Sequence, residues 1–158
     1  MMAVSPVPEG FHTATPNLIC HDANEALGFY ARAFGAQEIM RALGPDGQKI
    51  WHALMKIGDS FIMVADEMPE MGAVSPRTLS GTPVSMFLYV EDADALWKQA
   101  TGAGATVVME IMDAFWGDRC GTLTDPYGHQ WTIATHIEEV SVEEATRRAK
   151  ALYGSQPG

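Results

Sequence analysis

Cysteine is nearly missing from this chain. There are two in 158 residues, Cys20 and Cys120, with no CxxC spacing. That scarcity excludes a disulfide scaffold or a thiolate zinc site and leads us to expect a reducing, cytoplasmic setting. Basic residues are also sparse, 10 Lys and Arg against 20 Asp and Glu, for a formal net charge of −10. Phosphate backbones and anionic membrane surfaces need a basic partner, so neither nucleic acid nor a membrane is expected. The one basic cluster, Arg147, Arg148 and Lys150, lies beside Glu143 and Glu144 and reads as a solvated helix face. No apolar run approaches the length of a membrane span. The first residues, MMAVSPVPEGF, lack the basic and apolar regions of a signal peptide. Histidines show no HxH or HxxxH spacing and no serine sits in a GxSxG elbow, so neither a local metal motif nor serine nucleophile chemistry is supported.

What the chain does have is a repeat. NLICHDANEALGFYARAFGA around Asp22 and MFLYVEDADALWKQATGAGA around Asp92 share one pattern: an apolar run, an acidic turn, an amphipathic stretch and a Gly-Ala exit. GDSFIMVAD from Gly58 then lines up with GHQWTIATH from Gly128. Such a repeat means two copies of one supersecondary unit sharing a core. With 47% hydrophobic residues the chain has enough apolar surface for an ordinary globular domain.

Periodicity supplies the elements. Thr13 to Cys20 reads as a strand that Pro16 assigns to a sheet edge. Asp22 caps a helix over residues 23–34, with Ala26, Leu27, Tyr30 and Phe34 as its buried stripe and Gly35 as its exit. Strands follow over 37–42, 49–57 and 60–65, the first two joined by the turn Gly44-Pro45-Asp46-Gly47. Residues 66–83, rich in Pro, Met and Gly, form an irregular link. The second copy has a strand over 84–90, a helix from Asp92 to near Thr101, a strand over 105–110, a segment over 113–124 and a last strand over 128–135. Ser141, with Glu144 three positions on, opens a final helix to about Leu152. The expected organisation is therefore a leader (1–11), a first module (12–66), a linker (67–83), a second module (84–137) and a C-terminal helix and tail (138–158). The fold class is α+β, with two tandem βαβββ modules forming half-barrel clefts.

DANEALGFYARAFGA, HALMKIGDSFIMVADE, GTPVSMFLYVEDADAL and AFWGDRCGTLTDPYGHQWTIATH resemble the vicinal-oxygen-chelate superfamily over residues 12–137. That superfamily holds glyoxalase I, extradiol dioxygenases, fosfomycin resistance enzymes and bleomycin-binding proteins; within it the chain is most similar to the PhnB-like, glyoxalase-like subgroup. The resemblance implies a concave ligand cavity and homodimers. It also implies four metal-ligand positions, two per module, which map here to Thr15, Ile62, Ser85 and Thr132. None is an imidazole or a carboxylate, and shifting each by one residue rescues none of them, so no metal or other cofactor is expected.

If Thr15, Ser85 and Thr132 face inward, strand alternation brings Asn17, Val64, Phe87, Tyr89 and Gln130 with them, and packs Leu18, Leu88, Trp131 and Ile133 against the helices. That lining of hydroxyls, amides and rings suits a small organic molecule. Phe115 and Trp116, beside Asp113 and Arg119, read as a cavity mouth or a dimer seam. His52, mid-strand, is the candidate acid/base, with a backbone-satisfied core histidine as the alternative. His129 is expected to be exposed, and Cys120 beside Arg119 is a candidate for a lowered thiol pKa, although a lone cysteine of this kind is usually inert. Two functions follow. One is a metal-free binding or sequestering protein, whose acidity favours a cationic ligand. The other is a metal-dependent lyase, isomerase or dioxygenase. A metal-free enzyme using His52 is a third.

Overall fold

The repeat in the sequence is a repeat in space. The computed structural model describes residues 3–155; residues 1–2 and 156–158, at the tips of the expected leader and tail, lie outside the described residues. The first module runs β1 (Asn17–Cys20), α1 (Ala23–Phe34), β2 (Gln37–Leu43), β3 (Ile50–Ile57) and β4 (Ser60–Asp66). The second runs β5 (Ser85–Tyr89), α3 (Ala93–Ala103), β6 (Thr106–Asp113), β7 (Asp118–Thr124) and β8 (Gln130–His136). Between them lie a single 3-10 turn (Pro69–Met71) and a short α2 (Pro76–Leu79), so the expected irregular link carries structure of its own. Ser75 caps α2, and Glu67 accepts from the Ser75 N–H and the Thr78 hydroxyl. α4 (Val142–Tyr153) closes the chain.

Each module is a four-stranded mixed sheet, in order β1-β4-β3-β2 and β5-β8-β7-β6. The first strand of each pairs in parallel with the last, and the rest are antiparallel. Pro16 stops β1 early. It has no N–H to donate, but its carbonyl still accepts from Met63 N at 2.9 Å, at the sheet edge expected for it. Asp22 and Asp92 cap their helices by accepting from Glu25 N and Ala95 N, and Gly35 and Gly104 end them in the left-handed conformation.

One core lies between the two modules. The rings of Tyr30 and Phe34 on α1 reach across to Trp131 on β8, with centroids 5.4 Å and 4.6 Å apart. Trp97 on α3 lies over Gly121, where a Cβ would sit 2.5 Å from the indole, so only glycine admits the ring. The knot of this core is Asp125, 4% exposed. It accepts from the Tyr30 hydroxyl at 2.6 Å, Trp131 Nε1 at 2.8 Å and the N–H groups of Tyr127 and His129. A buried carboxylate with four donors is stable where an unpaired one is not.

The internal alignment needs one correction. Asn17 pairs with Met63, and its equivalent Phe87 pairs with Thr132. Met63, not Ile62, therefore corresponds to Thr132. The cause is turn length. Gly58 and Asp59 alone separate Ile57 from its partner Ser60, whereas five residues, Asp125 to His129, separate Thr124 from Gln130. A second pair confirms the shift, since Asp66 accepts from Ala23 N and Thr135 Oγ1 accepts from Ala93 N at the same place in each module. Because side chains alternate along a strand, a one-residue slip reverses the face. Ile62 and Val64, expected in the cleft, are fully buried in the core with Leu18, Ala53 and Met55.

Candidate functional site

The face of each sheet turned away from the helices is the concave surface on which a ligand could lie. In the second module alternation gives it Phe87 and Tyr89 from β5, Thr132, Ala134 and His136 from β8, and Asp118, Cys120 and Thr122 from β7, since Leu88, Trp131, Ile133, Gly121 and Leu123 pack on the opposite side. Thr122 and Thr132 face each other across the strands and share a hydroxyl hydrogen bond of 2.9 Å. Phe87 is 44% exposed, Tyr89 63% and Trp116 41%, an unusual display of rings for one surface. In the first module the same face carries His52, Leu54, Lys56, Phe61, Met63, Ala65 and Asn17, apolar groups mixed with an imidazole, an ammonium and an amide.

The sharpest chemistry sits at the far end of the second face, around a residue the sequence did not single out. Asp118 is 1% exposed. Its Oδ2 accepts from the Tyr89 hydroxyl and from Trp116 Nε1, both at 2.8 Å, and its Oδ1 lies 2.9 Å from His136 Nδ1. Burial opposes its charge, but the donors from His136, Tyr89 and Trp116 outweigh burial and hold the carboxyl below its ordinary pKa. Hydrogen bonds to Asp118 and then Glu139 raise the His136 pKa, and the bond to Asp118 raises that of Tyr89. The missed signal is parity: Asp118 and His136 alternate in step with Thr122 and Thr132, so they share the concave face.

The expected site residues are not all brought together. Thr15 and Phe87 share a cavity of about 150 Å³ with Phe11 and Phe61, at the seam between the modules; Ile62 borders it while staying 1% exposed. Asn17 and Gln130 flank a neighbouring cavity of about 250 Å³ with Met86 and His129. His129 is half-buried rather than exposed, its Nε2 lying 2.8 Å from the carbonyl of Ile19. Ser85 is exposed at the start of β5. Phe115 and Trp116 line a small apolar pocket of about 90 Å³ with Met109, Met112, Cys120 and Leu152, overhung by α4. Arg148 ties that helix down through Glu138 and the carbonyl of Phe115. His52 is half-buried, on the face opposite α1. The ring hydrogen bonds of histidine among the described residues belong to His129 and His136, so neither a backbone anchor nor an orienting carboxylate holds His52.

Cys120 does not have a lowered pKa. Arg119 points to the other face, where it pairs with Asp94 and Asp113, while burial and then the Asp118 charge push the thiol up. The four family ligand positions, with Met63 replacing Ile62, are filled by Thr15, Met63, Ser85 and Thr132. Three hydroxyls and a thioether are a poor donor set for a borderline divalent metal. Among the described residues no three His, Cys, Asp or Glu are grouped so as to hold one. These residues do not fit the family's metal.

Comparison with known proteins agrees with this architecture. Residues 11–133 match the family model described as Glyoxalase/Bleomycin resistance protein/Dioxygenase superfamily. An uncharacterized protein of Mycobacterium bovis is 42% identical over 133 residues, 82% of this chain and 87% of that protein. Among solved structures, TioX from Micromonospora sp. ML1 is similar with a TM-score of 0.61 and 27% identity, over 80% of this chain and all of that one. A gene product of Arabidopsis thaliana has a TM-score of 0.61 and 28% identity, over 77% of this chain and 97% of its own.

Proposed function

The chain belongs to the glyoxalase/bleomycin resistance/dioxygenase superfamily, and from that premise we propose that it is a metal-free protein binding a small organic molecule. The ligand lies on the concave face of the second sheet, against Phe87, Tyr89 and Trp116. The observation that carries this reading is the combination of rings displayed to solvent with hydroxyl and thioether groups at the four ligand positions. Exposed rings gain by stacking on a flat partner, and the net charge of −10 draws a cationic one. The reading includes a cytoplasmic location, for which the two free, buried cysteines are the support. No described helix is long and apolar enough to cross a membrane.

A homodimer is part of the proposal. The outer edges β2 and β6 carry exposed Ile39, Met40, Leu43, Val107, Val108 and Met109. α4 has no buried residue, with Val142 and Leu152 open to solvent. Unpaired apolar edges need a cover, and a second copy supplies one. Light scattering at micromolar concentration should give twice the chain mass.

The test of function is a thermal-shift screen of planar organic cations and their neutral isosteres, with elemental analysis of protein purified without chelator. A ligand at a hundred times its Kd should add about 2.7 kcal/mol of stability. Stoichiometric nickel, zinc, iron or manganese would overturn the metal-free reading in favour of a glyoxalase-type enzyme.

A further inference from the structure

Resting on the reading that the second sheet's concave face holds an organic molecule, we propose that His136, oriented by Asp118, is a catalytic acid/base acting on a flat molecule stacked against Tyr89 and Trp116. Three observations converge. The Asp118 carboxylate is buried and lies 2.9 Å from Nδ1, so that nitrogen carries the proton and the neutral ring presents its lone pair at Nε2. The His136 side chain is 47% exposed, and among the described residues the group bonded to Nε2 is Glu139 at 3.2 Å, itself 96% exposed and readily displaced. Finally, Tyr89 and Trp116 are tethered to the other oxygen of the same carboxylate, which fixes two stacking rings beside the histidine, with Phe87 5.1 Å from Tyr89.

A buried carboxylate, an oriented imidazole and a neighbouring platform are the parts a general base needs. His52 has no such orienting group among the described residues. The groups facing His136 are Asp118 from β7, Tyr89 from β5, Glu139 from the strap after β8, and Cys120 one row away, all acidic or neutral. They favour the protonated ring, so activity should rise with pH as His136 loses its proton.

In the step itself, Nε2 takes a proton from an acidic C–H or O–H, the electron pair of that bond stays on the substrate, and the imidazolium returns the proton elsewhere or to water. No oxidant or metal is required. The substrate class is a flat molecule whose C–H or O–H is acidified by an electron-withdrawing neighbour, of which a cationic ring nitrogen is one and a nitro group another.

The probe is 5-nitrobenzisoxazole. A base removes its ring C–H, the pair forms the nitrile, and the N–O bond breaks to release a coloured phenolate. The full chain should turn it over about 10²-fold faster than free imidazole at equal concentration, the lower range for a positioned base. His136→Gln should return the rate to background. Asp118→Asn should lower the rate about tenfold and move the pH midpoint down toward that of ordinary imidazole, as loss of a carboxylate partner demands. Glu139→Gln, on the exposed strap, should lower the midpoint while keeping or raising the plateau rate, and it serves if the Asp118 variant does not fold. A rate no better than imidazole, activity that survives His136→Gln, or a plateau that collapses in Glu139→Gln would overturn the dyad. Binding of the probe is read separately by thermal shift, so a molecule that binds without turnover removes the dyad and leaves the binding reading standing.

Discussion

The two modules share a topology and differ in what they show to solvent. Asp66 and Thr135 do the same work, closing the start of a helix against the last strand, and Asp22 and Asp92 cap that helix identically. On the concave side the likeness ends. Leu54 and Met63 face each other on one sheet where Thr122 and Thr132 face each other on the other, and the second face alone pairs a buried carboxylate, Asp118, with a histidine, His136, among exposed rings. The side packed on the helices is constrained by a shared core, so the copies stay alike there. The open side is free of that constraint, and a binding site has room to develop on one copy alone.

Four measurements would break or sharpen this contrast. The largest effect is expected in the core, where Trp131 of the second module anchors α1 of the first. Trp131→Ala should destabilise by about 3–5 kcal/mol, against about 0.5–1.5 kcal/mol for Ile62→Val at the corresponding first-module position, by denaturant unfolding. A loss below about 1.5 kcal/mol for Trp131→Ala would show that the indole does not anchor α1 of the first module.

Next come the two hairpins. Asp125→Ala orphans the Tyr30 hydroxyl and Trp131 Nε1, at about 1–3 kcal/mol for each buried group left unpaired. Asp59→Ala, in the short exposed turn of the first module, should stay within about 0.5 kcal/mol.

The helix starts give a smaller difference. Asp66→Ala removes the acceptor for both Ala23 N and Ile50 N and should lose about 2 kcal/mol, while Thr135→Ala, which accepts from Ala93 N, should lose about 1 kcal/mol. The reverse order would mean that the two caps are not equivalent.

The smallest effect is one of pH. The Asp118 pKa is lowered on folding, so its contribution is present above the ordinary carboxylate value and is lost as pH falls through the folded one. The His136 pKa is raised, so its contribution is full below the ordinary imidazole value and fades as pH rises through the folded one. Their pairing should therefore stabilise most between those limits, and His136→Gln should flatten the alkaline side of a Tm-against-pH profile. An unchanged profile would mean that the pair is not formed in solution.

Helix positions were legible in the chain because caps and exits are local. Asp22 and Gly35, or Asp92 and Gly104, announce an α-helix by side-chain chemistry within a few residues. Leu18, Leu88, Trp131 and Ile133 were correctly assigned to the core, because alternation needs only neighbours in sequence. The face of β4 was misread because it depends on counting through a turn, and the alignment of Gly58 with Gly128 hid the different lengths of the two hairpins. His129 was misjudged for a related reason: the carbonyl of Ile19 beside its ring comes from a distant part of the chain.

The sequence by itself determined the repeat and the βαβββ order, which follow from residue identity and local period, and its motifs resembled those of the family whose model it matches. Only the tertiary structure decided that Asp125 ties the modules together and that Asp118 gathers Tyr89, Trp116 and His136. Cross-strand register brings a carboxylate on β7 against residues from β5, the turn before β7 and the end of β8, and burial then makes each of those hydrogen bonds necessary.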